Sequence, residues 1–493
     1  MKRRDTRNAD LVYCSGISGA TGARIQRPMK PQDVAVMVRN YFDQRTNIFR
    51  EPPESSPPLQ PGVHIDNLEE TGWGVIFHRD ADPAVRKALG PLLSLRQSQA
   101  KGRYKEYRAK YGSYGYPAIS ARVERWERED ENKRKKEHKM QLDPLDPDRM
   151  PYYLLIVGPP HAPGPDGNDI GIPYSFQYSL DVEYAVGRIY FKTPAEYQRY
   201  AKNVVEAETG GRSMNPRVAF FAPELADDDF TTHCSEFLIG PLAFELKGDK
   251  WQVDSFTGSK ATRSRLTRLF FERDPAALLF VATHGLEYIP ADPRLQGSLI
   301  CQHRRQKGNT PPEAYFAAKD IPGGDHVSPM IAYFFACCSG GTPRMNDFPG
   351  MEPEPGELAL PDVLTDHSFV ADLPQRLLGR SNGLLAVISH VERVWNYTFV
   401  GPGIGLFKRQ LETLMKGERV GAVMLSLNER YTRLYRELYE RLQKKHQSRR
   451  SDQRLVTLWA TCNDARNFTI IGDPAVRLPI TAAQPAERPA GAP

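Results

Sequence analysis

The chain has no run of eighteen apolar residues, the least a membrane-spanning helix needs. Its opening, Met1-Lys2-Arg3-Arg4-Asp5, is charged and lacks the apolar stretch of a secretory leader, so a cytoplasmic protein with no membrane partner is expected. Cysteine is scarce: Cys14, Cys234, Cys301, Cys337, Cys338 and Cys462 are scattered through 493 residues. That argues against a disulfide framework and for reduced thiols. Metal ligands are equally thin. Cys301 and His303 offer two donors where structural zinc wants four, Asp325-His326 adds only loop residues, and no EF-hand spacing accompanies the carboxylates. Neither metal nor cofactor is expected. A phosphate-cradling loop is missing too. Gly16, Gly19 and Gly22 recur at every third position without the Gly-x-Gly-x-x-Gly spacing or a following Lys-Ser/Thr, and read as a flexible loop.

Charge of one sign is also in short supply. A net charge of +6 and a pI near 8.8 are mild for this length; they permit an acidic partner without demanding one. Lys101, Arg103, Lys105, Arg108 and Lys110 alternate with Tyr104 and Tyr107, a mixture that can contact nucleic acid. Residues 83–110 read instead as a helical stretch with a solvated basic face, and nucleic acid is not expected as a partner. At 40% hydrophobic and 26% charged, the chain is long enough for two or three core-bearing units.

What the sequence does have is two short apolar runs, each ending in a reactive side chain. Residues 278–283, Leu-Leu-Phe-Val-Ala-Thr, are closed by His284-Gly285; residues 331–336, Ile-Ala-Tyr-Phe-Phe-Ala, are closed by Cys337-Cys338-Ser339-Gly340-Gly341. Their length and bounding glycines predict buried strands of a parallel sheet. In open α/β sheets the loops at the carboxyl ends of strands line the crevice. An imidazole and a thiol at two such ends are what nucleophilic catalysis needs: the ring takes the thiol proton and returns it to the leaving group. Cys337 is the expected nucleophile and His284 the acid/base. Cys338 is the alternative nucleophile. Taken singly, each would be a core cysteine or a satisfied loop histidine.

The order and spacing, with the His about fifty residues upstream of the Cys, resemble the caspase-like superfamily of cysteine peptidases. Within it the likeness is to the gingipain type, over roughly residues 150–480. Further matches are the strand at 152–158 ending in Leu-Leu-Ile-Val-Gly, Ile172-Pro173, Asp181-x-x-Tyr184, Gly187-Arg188, and Gly472-Asp473-Pro474. The resemblance implies an α/β fold with mostly parallel sheets, helices on both faces, two sub-sheets and an N-terminal extension. It divides the chain into an N-terminal region with a charged insert (1–150), an N-terminal caspase-like subdomain (151–258), a catalytic subdomain (259–480) and a disordered tail (481–493). It implies that the N–H groups of Gly285 and Cys337 form an oxyanion hole. It also implies that Asp181 and Trp395 line a pocket for a basic side chain, a carboxylate facing a guanidinium being a strong selector.

The function so implied is an intracellular cysteine endopeptidase cutting protein or peptide substrates after Arg or Lys. Restraint by an activating protein, a ligand or self-cleavage is expected, because the inserts at 124–150 and 344–367 are long. The latter carries Asp347, Glu352, Glu354, Glu357, Asp362 and Asp366. The alternative is a catalytically idle caspase-like scaffold that binds protein or nucleic acid.

Overall fold

Short runs rich in Val, Ile, Leu and aromatics satisfy their backbone groups by pairing edge to edge. The computed structural model describes residues 11–480, apart from 13, 27–28, 45–58, 60–61, 110–145, 165–166, 182, 212, 249, 305–309, 324–329, 347–362, 397–402 and 444–448. The linker at 51–58, the charged run at 124–140, Asp325-His326, Asp347, Glu352, Glu354, Glu357, Asp362 and the tail lie outside the described residues.

Ten strands form one sheet: β1 (Trp73–His78), β2 (Tyr104–Ala109), β3 (Tyr153–Val157), β4 (Ala185–Ile189), β5 (Arg217–Ala222), β6 (Gln252–Thr257), β7 (Leu278–Ala282), β8 (Ile331–Phe335), β9 (Ala386–His390) and β10 (Phe468–Gly472). Their order across the sheet is β2-β1-β3-β4-β10-β9-β8-β7-β5-β6. Neighbours are parallel except at β9 and β10, which run antiparallel. In place of two sub-sheets there is thus one α/β sheet whose halves point in opposite directions and meet at a single seam. Parallel strands covered on both faces read as unbroken apolar runs. β3, β7 and β8 are accordingly buried along their whole length.

Two edge strands escape that signal. Gln252–Thr257 is half exposed and polar, as an edge tolerates. The helical stretch expected to run to Lys110 stops at Ala100, and the chain turns through Lys101 with φ of 50°. Tyr104–Ala109 then pairs with β1, and Tyr104 stacks on Trp73 at 5.7 Å. Residues 104–109, Tyr-Lys-Glu-Tyr-Arg-Ala, have the two tyrosines three apart, a spacing that suits a helix face as well as an edge strand. The region expected as an N-terminal extension therefore supplies two strands of the main sheet.

Other elements follow their local chemistry. Helices Pro31–Gln44, Arg263–Phe271 and Ile404–Met415 form where apolar periodicity places them. Helix Pro194–Glu208 opens on Thr193, whose N–H donates to the Glu196 carboxylate at 2.9 Å. Helix Val420–Leu442 is followed by a second helix, Arg449–Asn467, that packs back on it. Residues 12–38 join these C-terminal helices in a separate apolar cluster around Trp395 and Trp459.

The N-terminal half of the sheet is tied to its centre by Asp473, just past β10. Its carboxylate accepts from Trp73 Nε1 at 2.9 Å and from Arg96 Nε at 2.7 Å; Arg96 also grips both oxygens of Glu208 at 2.7 and 2.8 Å. All of these side chains are buried. Removing one member of such a group strands the others as unpaired charges. Arg96→Met should lower unfolding free energy by about 3–5 kcal/mol in urea titration. Arg86→Ala, which breaks only a surface pair with Glu106, should cost less than about 1 kcal/mol.

Candidate active site

The register of β7 with β8, Leu278↔Ile331 through Ala282↔Phe335, brings the two reactive residues together. Thr283 N–H donates to the Phe335 carbonyl at 3.1 Å, extending the ladder past the strand ends. His284 and Cys337 are the next residues out on adjacent strands, which run about 4.8 Å apart. The backbones then touch. A Cβ on Gly285 would lie 1.9 Å from the Cys337 carbonyl oxygen, so only glycine fits there.

His284 is fully buried and hydrogen-bonded on both ring nitrogens. Nε2 lies 2.6 Å from Asp228 Oδ2. Nδ1 accepts the Gly16 N–H at 2.8 Å and lies 3.2 Å from Ser15 Oγ. Because a backbone N–H can only donate, Nδ1 carries no proton and the ring proton sits on Nε2, shared with the carboxylate. The Ser15 hydroxyl beside the pair favours the Cys337 thiolate, against the larger effect of burial. Cys337 Sγ accepts the Val394 N–H at 3.1 Å.

Asp228 escaped the sequence reading. It lies beyond the carboxyl end of β5, the neighbour of β7, within the run Asp227-Asp228-Asp229. The rule that singled out the ends of β7 and β8 applies equally to β5, but one carboxylate among sixty acidic residues carries no mark of its own. Burial alone would raise its carboxyl; the His284 ring and the Arg24 guanidinium at 3.0 Å outweigh that and hold it well below the usual carboxylate range.

Burial pushes the Cys337 thiol well above its ordinary range, and the Glu287 carboxylate adds to the rise. The protonated thiol is therefore the resting form. Cys338 adopts φ of 54°, and its N–H donates to the Glu392 carbonyl at 3.0 Å. The bridge between Gly285 and Leu299 is closed by Ile300 N–H to the His284 carbonyl and Leu286 N–H to the Ser298 carbonyl, which leaves the N–H of Gly285 itself out of the ladder.

Asp181 closes helix Tyr174–Asp181 just before β4, at the same sheet end as His390 and Cys337. It is buried, and neither oxygen has a hydrogen-bond partner among the described residues. Burial raises its carboxyl well above the usual range against the pull of Arg188. Trp395 lies in other surroundings. Its N–H donates to the Asp464 carboxylate at 3.1 Å, its ring packs on Trp459 at 5.3 Å, and its backbone bridges to Cys14. Cys301 and His303 bond to nearby carbonyls, and no group of metal-ligating side chains exists among the described residues.

No family model matches the chain, and no curated protein is similar to it in sequence. A solved structure described as that of a protease covers 86% of this chain and 84% of its own, at 10% identity and a TM-score of 0.46. Among the described residues no helix is long and apolar enough to cross a membrane.

Two measurements probe the packing. Gly285→Ala should destabilise the fold by about 1–3 kcal/mol, because the two backbones have nowhere to move. His390 is buried, donates from Nδ1 to the Glu392 carbonyl, and has its pKa lowered by that burial from 6.5 to about 4. Between pH 6.5 and 4 the unfolded chain takes up a proton that the folded one refuses, so stability falls as pH drops through that window. His390→Asn, which keeps a donor for that carbonyl, should remove up to about 3 kcal/mol of this fall in urea titrations at both ends of the window.

Proposed function

We propose that the chain is a cysteine endopeptidase of the gingipain type, with Cys337 as nucleophile and His284 as acid/base. The observation that carries this is the strand register that sets Cys337 beside His284, with the Ser15 hydroxyl 3.2 Å from Nδ1 and Asp228 on the far nitrogen. In the reaction, the Cys337 thiol gives its proton to Nδ1 and the thiolate attacks the scissile carbonyl. The N–H groups of Gly285 and Cys337 take the developing oxyanion. The imidazolium then protonates the leaving amine, and water releases the acyl group from sulfur. Asp228 stays ionised throughout, fixing the tautomer and steadying the ring when it is charged.

Asp181 is the element of specificity in this reading. A buried carboxyl with both oxygens unbonded among the described residues is costly by itself and is relieved by a cation, which supports cleavage after Arg or Lys. Trp395 is assigned to the same pocket by the family resemblance alone.

A second reading, an idle caspase-like scaffold, is favoured by one feature: Cys337 is wholly buried in the folded chain. A thiol-reactive peptide carrying Arg separates the two. Label lost in Cys337→Ala and kept in Cys338→Ala supports the peptidase; no cleavage of any peptide library by protein whose Cys337 is open to a small alkylating reagent supports the scaffold. Asp228→Asn should cut the turnover of an Arg peptide by about 10²–10⁴ without loss of fold, as removal of an orienting carboxylate does. Asp181→Asn should reduce cleavage after Arg relative to a neutral residue by at least about tenfold, read as a ratio of kcat/KM values.

A further inference from the structure

The three loops of the site are ordered across the sheet. Cys337 follows β8, and its lips are the loops after β7 and β9 on either side. The chain's own N-terminal segment crosses from one lip to the other. Cys14 bridges antiparallel to Trp395, and Ser15 N–H donates to the Val394 carbonyl at 2.8 Å. Two residues later, Ile17 and Ser18 pair parallel with Leu286 and Glu287; Ile17 N–H donates to the Gly285 carbonyl at 3.1 Å and Gly19 N–H to that of Glu287 at 2.8 Å. Between the lips, the peptide joining Ser15 to Gly16 lies over the Cys/His pair. This is how an extended peptide adds to exposed backbone edges.

We infer that residues 14–19 are a built-in occupant of the cleft that holds the protein latent, the Gly16 N–H masking the nitrogen to which Cys337 must pass its proton. The inference rests on the peptidase reading for what the cleft normally receives; occlusion of the thiol stands without it. The chemistry blocks turnover of the strap itself. Nδ1 must offer a free lone pair to deprotonate the thiol, and here it is spent on the Gly16 N–H at 2.8 Å and faced by the Ser15 hydroxyl at 3.2 Å. Ser15, the residue beside the masked bond, has no basic group to offer Asp181. The strap is also pinned from behind. Residues 17 and 24 pair as a short hairpin, Ile25 N–H donates to the Gly16 carbonyl at 3.0 Å, and Arg24 pairs with Asp228. The third member of the site is thereby engaged as well.

The strap fits through glycine. Gly16 has φ of 131°, and a Cβ there would lie 2.4 Å from Glu287 Oε1; a Cβ on Gly19 would fall 2.1 Å from the Tyr288 ring. In place of the flexible loop expected here, Gly16 and Gly19 pass close beneath the side chains of Glu287 and Tyr288.

The test is the rate at which a small alkylating reagent modifies Cys337 in the full-length protein, located by peptide mapping, with peptide cleavage followed in parallel. Gly16→Val and Gly19→Leu, which force the strap out, should speed modification by at least about tenfold in whichever variant still melts cooperatively. An unchanged rate in both overturns the inference. Should neither variant fold, the wild-type protein decides: modification no faster than hydrogen exchange at the Ile17 and Gly19 amides supports the strap as gate, and modification outrunning that exchange overturns it. Faster modification with no peptide cleaved keeps the strap and rejects the peptidase.

Discussion

The site depends on one backbone contact, between Gly285 and Cys337 at the ends of two parallel strands. Hydrogen bonding fixes the register of β7 against β8, and register fixes which residues leave the ladder side by side. A slip of one position would turn the strand's side chains to the opposite face and separate the imidazole from the thiol. The buried apolar runs behind the site resist that slip, because each residue of both strands is enclosed.

Burial sets the chemistry as well. It drives the Cys337 thiol and the Asp181 carboxyl toward their neutral forms and keeps His390 uncharged, while Asp228 stays ionised because His284 and Arg24 stand against it. These groups lie within one sheet end, yet each has a different protonation tendency set by its immediate partners. A cation entering near Asp181, or water entering near Cys337, would reverse two of them. The arrangement is therefore poised rather than fixed: what enters the cleft alters the charges lining it.

The strap and the scaffold share their supports. Residues 12–38 close an apolar cluster with the helices before β10, and the segment that crosses the cleft begins inside that cluster at Cys14. Withdrawing the crossing residues need not dissolve the cluster, since Met29, Val34 and Val38 hold it beyond the hairpin. A latch that opens while its anchor stays packed is a local event rather than an unfolding one.

Sequence alone marks the buried strands at 152–158, 278–283 and 331–336, and the His-Gly and the Cys that close the last two. Each rests on a local signal: apolar length or a bounding glycine. Residues 104–109 and 252–257 were not legible as strands because polar edge strands lack an apolar run. Asp228 and the strap were decided by tertiary structure alone. A carboxylate acquires its role from the ring it faces, and Gly16 and Gly19 acquire theirs from Glu287 and Tyr288, more than 250 positions further along the chain. Contacts of that separation leave no periodicity in the sequence, since they are fixed by the fold that brings the partners together.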